Sequence, residues 1–128
     1  MSTEQKPSTL LSDLAEAVFQ VFDVVCTAVI VEGQESPVHC VGDHQVGERL
    51  VQLPAVQRAL VDGLPSTEDP PRDGTMDEAV VIGIEPLSIL EDEPATVVAF
   101  ATRHSADLDR AVALVHALAI ETASQLTL

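Results

Sequence analysis

The stretch Val38 to Glu48, VHCVGDHQVGE, places His39, Cys40, Asp43 and His44 within six consecutive positions. All four are residue types that ligate metal ions or exchange protons. His104 downstream could add another. For metal binding, His39 or Cys40 would join Asp43 and His44 after Gly42 breaks the strand, giving two or three ligands. The spacing matches no standard zinc signature, and in a regular strand His39 and Cys40 point to opposite faces. The reading taken is therefore the polar end of a strand, with no metal and no cofactor expected.

Thiol chemistry needs a lowered pKa and a partner to resolve the oxidised sulfur. Cys26, inside VVCTAVIVE, reads as a small core residue. Cys40, near a strand end and near His44, is the better candidate. No nucleophile elbow, phosphate-binding glycine loop or converging Ser, His and Asp set stands out. No catalytic residue is assigned, and His116 reads as a packed or partly exposed helix residue.

The elements that position these residues follow from periodicity. Residues 1–8 read as a flexible tail, with Ser8 or Thr9 capping a helix whose stripe is Leu11, Leu14, Val18, Val21, Phe22 and Val25. VVCTAVIVE is β-branched and apolar, a buried strand, and EGQESP turns it into VHCVG as a hairpin. That pairing sets Cys40 opposite Ala28 or Val29, some distance from Cys26, and argues against a cross-hairpin disulfide. A one-residue change in register decides whether the two thiols share a face.

Downstream, Pro54 opens a short helix, PAVQRALVD, that Gly63 ends. Residues 64–78 form a Pro- and Asp-rich loop or lid. EAVVIGIEPL and PATVVAFATR are two central strands joined across SILEDE. Ser105 caps a final helix, with Asp107 and Asp109 near its positive end and a broad apolar stripe that includes Val115, Leu118 and Thr122. Neighbouring strands with a helix at each end predict an antiparallel α+β sheet with the terminal helices on one side.

The chain of 128 residues is long enough for a single core without disulfides, and 9–128 are read as one domain. Lys+Arg 6 against Asp+Glu 21 gives a formal charge of -15, a field that repels phosphate backbones and anionic lipid. With no Tyr or Trp there is no stacking platform for bases either. Neither nucleic acid nor membrane is an expected partner. The N-terminus lacks a secretory pattern, so a cytoplasmic protein with free thiols is expected. Acidity with one lysine, Lys6, and abundant Val, Ala and Thr fits a salt-adapted or GC-rich prokaryotic host.

The closing half, AVVIGIEPLSILEDEPATVVAFATRHSADLDRAVALVHALAIETASQL, resembles that of a GAF domain: a strand ending in proline, a hairpin, a second strand, then an S-x-D-L entry into an Ala/Leu-rich helix. Pro86, Ser105, Asp107 and Leu108 match it. Gly47, Glu48, Ala59, Leu60, Gly63 and Pro65 match the family's segment around its short helix. Where the family has a further strand and a helical insertion over its pocket, this chain has only STEDPPRDGTMDE. The runner-up resemblance is to the roadblock family of dimeric scaffolds, which also runs helix, hairpin, helix, strands, helix.

The GAF resemblance implies a non-enzymatic sensory or signalling module that binds a small molecule or a signalling protein. Its pocket would lie on the sheet face opposite the terminal helices, rimmed by His39, Cys40, His44, Arg49, Arg58 and Met76, with the arginines holding an anionic group. Homodimerisation is expected through Leu11, Leu14, Val18, Val115, Leu118 and Thr122, since the terminal helices carry more apolar surface than one sheet face needs. The alternatives are a roadblock-like scaffold without ligand, and a thiol or metal enzyme centred on Cys40. Free-methionine-sulfoxide reductases are GAF-fold enzymes that use cysteines, but the loop that carries the second of these has none here.

Overall fold

The computed structural model describes residues 7–21, 24–71, 74, 77–87, 95–103, 113, 115–118, 120, 121 and 124. Helix α1 (Pro7–Val21) starts at a proline, whose fixed φ suits a first helical position. It begins inside the expected tail, ahead of the Ser8 or Thr9 cap. The chain then forms β1 (Val24–Val31) and β2 (His39–Gly42), two short helices α2 (His44–Val51) and α3 (Pro54–Asp62), and strands β3 (Ser66–Glu68), β4 (Val81–Leu87) and β5 (Thr96–Thr102). The described residues from Ala113 to Ser124 are helical. The expected cap at Ser105 and the turn through SILEDE lie outside the described residues.

The five strands make one antiparallel sheet in the order β2-β1-β5-β4-β3. β1 and β5 are central, which is why nearly every residue in both is buried and neither alternates polar with apolar. The expected α+β, GAF-like arrangement, with the terminal helices on one face, is what forms. Leu14, Ala15 and Val18 of α1 and Val115 of the C-terminal helical residues pack with Val24, Val29, Val98 and Phe100. On the opposite face, Val46, Leu50 and Val51 of α2 and Val56, Ala59 and Leu60 of α3 pack on Ala28, Ile30, Ile82, Ile84 and Ala99. Each fully buried aliphatic side chain here contributes roughly 1.5–3 kcal/mol.

Two elements depart from the expectation. β3 arises within the stretch expected to be loop, pairing Ser66, Thr67 and Glu68 with Ile84, Gly83 and Ile82. An edge strand of three residues needs backbone hydrogen bonds and little apolar patterning, so its polar sequence hides it. Helix α2 was not expected at all. Asp43 caps it, its carboxylate accepting from the backbone N–H of Gln45 and Val46. α3 behaves as its sequence predicts, with Pro54 at the start and Gly63 in the left-handed conformation at its end.

Candidate functional site

The chemistry-bearing segment sits where β2 meets α2. Gly42 has φ 102, and a side chain there would strike the carbonyl of Val25 and the ring of Phe19. A glycine is therefore required, and it lets β2 fold tightly over the start of β1. The Asp43 N–H donates to the Val25 carbonyl at 3.1 Å and holds that approach. The register of β1 against β5 shifts between Val24 and Cys26, and both Val25 and Cys26 join the core beneath α2 and α3.

Cys26 pairs with Gly42 and Ala28 with Cys40, so the two cysteines are diagonal neighbours on one face. Their sulfurs are 3.4 Å apart. The expected register opposite Ala28 is correct, but the separation inferred from it is not: the bend at Gly42 closes the diagonal and brings the thiols into contact. Gly47 of α2 roofs the pair. A Cβ at that position would lie 2.5 Å from the Cys40 sulfur and 3.4 Å from that of Cys26. Cys26 is fully buried, whereas Cys40 is partly exposed.

The contact divides the two thiols electrostatically. Cys26 is pushed far above the ordinary thiol range, first by its hydrogen bond with Cys40, then by burial, with the negative charges of Cys40 and Asp43 adding. Cys40 is lowered by the same hydrogen bond, against the opposing effects of burial, Asp43 and Glu48. The contact therefore favours ionisation at the accessible sulfur over the buried one.

The other expected rim residues do not converge. His39 alternates with Cys40 and shares the α1 face with Val41, so it points away from α2 and α3. His44 and Arg58 are exposed and Arg49 is half-buried; Met76 and His104 lie outside the described residues. Among the described residues, the α2/α3 face, where the pocket or a second small core was expected, carries the apolar cluster around Leu50, Val56, Ile82 and Ile84. An open depression of about 630 Å³ lies beside it, between the β1–β2 turn and the α2–α3 junction. Glu35, Ser36, Glu48, Gln52 and Gln57 line it, and neither Arg49 nor Arg58 does. Its acidic and amide wall does not suit the anionic group the arginines were expected to hold. Ser36 donates to Glu48 at 3.0 Å and Gln57 to the Val51 carbonyl at 2.7 Å, tying the turn and α3 to α2.

Among the described residues no three or more His, Cys, Asp or Glu gather as metal ligands. None of their helices is long and apolar enough to cross a membrane. Of the expected dimer residues, Leu14, Val18 and Val115 are buried within this chain against the sheet. Leu11 and Leu118 are half-buried at the margin of that core, and Thr122 lies outside the described residues. One residue pair on this face was not anticipated. Glu85, buried on β4, bonds to Nδ1 of His116 from the C-terminal helical residues. The signal was a glutamate inside the otherwise apolar run VVIGIEPL, a position that demands a partner.

No protein-family model matches the chain, and no curated protein sequence does. Solved structures do. A GAF domain/HD domain protein from Geobacter sulfurreducens superposes with a TM-score of 0.69 at 13% identity, over 94% of this chain and 92% of that one. The GAF-B domain of DevS from Mycobacterium smegmatis gives 0.69 at 20% identity, over 94% and 93%. A type II free methionine-R-sulfoxide reductase from Thermoplasma acidophilum gives 0.68 at 10% identity, over 94% and 92%. The fold is that of a GAF domain. One of these three proteins is an enzyme, so the fold alone does not decide between sensing and catalysis.

Proposed function

We propose that this GAF-fold chain is a non-enzymatic sensory and signalling module that works by association with other protein chains, its own second copy first among them. The observation that supports this is the apolar packing of α2 and α3 on the sheet. With apolar side chains packed where a ligand chamber would lie, a small molecule would have to lift α2 or α3 to enter, losing core contacts to do so. Contact between folded surfaces needs no such opening. The homodimer uses the solvent side of the C-terminal helical residues, where Ile120 is 57% exposed, rather than the residues already packed on the sheet.

Sedimentation velocity over a concentration series tests this reading. The wild type sediments as a dimer, and Ile120→Glu, which places a charge on an exposed position and leaves the core intact, shifts it to monomer. A wild type that stays monomeric at every concentration overturns the homodimer.

A further inference from the structure

We infer that Cys26 and Cys40 form a reversible dithiol–disulfide site beneath α2, in which Cys40 attacks a hydroperoxide and Cys26 resolves the oxidised sulfur. The assignment stands on the thiol geometry and does not depend on the proposed signalling role. The sulfurs already touch at 3.4 Å on one sheet face. Only Cys40 is reached by solvent, so an oxidant meets it first; Cys26, wholly buried beside it, is shielded from that oxidant and can react with Cys40 alone. The same contact lowers the pKa of Cys40 and raises that of Cys26, so Cys40 is the better nucleophile of the two.

In the first step the Cys40 thiolate attacks the terminal oxygen of the hydroperoxide. An S–O bond forms, the O–O bond breaks, and the leaving alkoxide takes a proton from water to become an alcohol; sulfur is oxidised by two electrons and the peroxide reduced by two. In the second step Cys26 attacks the Cys40 sulfur. The S–S bond forms, the S–O bond breaks, and the departing hydroxide leaves as water with the Cys26 proton. A small-molecule thiol, two equivalents of which become its own disulfide, restores the pair.

Closing the bond shortens the sulfur separation from 3.4 Å to about 2.05 Å and draws Cys40 toward Cys26. Because Gly47 lies directly over the Cys40 sulfur, that movement passes oxidation on to α2, which carries Glu48 at the wall of the open depression.

The test is intact-mass spectrometry of the full chain after hydrogen peroxide, with free thiols then blocked by N-ethylmaleimide under denaturing conditions. The expected product is a monomeric chain that has lost two hydrogen atoms and takes up no maleimide, reverting to two labelled thiols after treatment with a monothiol. In Cys26→Ser, Cys40 stops as a sulfenic acid that dimedone labels, while Cys40→Ser stays unoxidised over the same time. If either variant fails to fold, the wild-type experiment still decides. Two free thiols after peroxide, Cys40 driven to sulfinic acid without closure, or a bond formed only between two chains would each overturn the inference.

Discussion

The two faces of the sheet solve one problem in opposite ways. Both bury groups that an apolar core does not need. Under the terminal helices these are Glu85, tied to His116, and Thr27, whose hydroxyl has no hydrogen-bond partner. Under α2 and α3 they are two thiols, tied to each other beneath a glycine. The first pairing fastens an element to the sheet, because a buried carboxylate without its partner is costly. The second fastens nothing that a pair of small apolar residues could not, and its sulfurs remain free to react. One face is built to hold and the other to change.

The largest effect separating the faces should come from Phe100→Ala. The Phe100 ring lies directly on Gly83, its partner in β4, and fills the space beneath the terminal helices. Truncation should cost about 3–5 kcal/mol in urea unfolding. A cost below about 1 kcal/mol would mean that this face is loosely packed and the contrast mistaken.

Next comes the tie itself. His116→Ala leaves Glu85 without its partner and should cost about 1–3 kcal/mol. Glu85→Leu in the same chain should recover part of the loss, and a double-mutant cycle should give a coupling above about 0.5 kcal/mol. Independent effects would reduce the pair to a surface contact. On the other face, Gly47→Ala should also destabilise by about 1–3 kcal/mol through overpacking against the Cys40 sulfur. Alanine for glycine inside a helix ordinarily gains up to about 1 kcal/mol, so the sign of the change reports whether the thiols fill the space under α2.

The smallest effect has the opposite sign. Thr27→Val replaces a buried, unpartnered hydroxyl with a methyl of similar size, and thermal unfolding should show a gain of up to about 1 kcal/mol. A loss of that size would mean that the hydroxyl has a partner in solution.

Much of this architecture was readable from the residues. The apolar stripe of α1, the β-branched runs of β1 and β5, and the pairing of Pro54 with Gly63 around α3 each carry their own local signal. α2 did not, because its eight residues hold only Val46, Leu50 and Val51 as a buried apolar face and contain a glycine. The useful signal was Asp43, an N-cap followed by apolar residues at the right spacing. β3 is too short and polar to show a period. At the site, alternation correctly kept His39 and Cys40 apart, but the thiol contact depends on how sharply Gly42 bends β2 over Val25. That bend is a tertiary property, and no spacing between residues 26 and 40 encodes it.

The packed α2/α3 face carries the proposed association, and native mass spectrometry of the protein isolated from its own host tests it most directly. A dimer at the mass of the chains alone, with no retained organic molecule, is the result expected from a module that works by contact. A stoichiometric small molecule, held through isolation and released only on unfolding, would contradict it and make this face a ligand chamber.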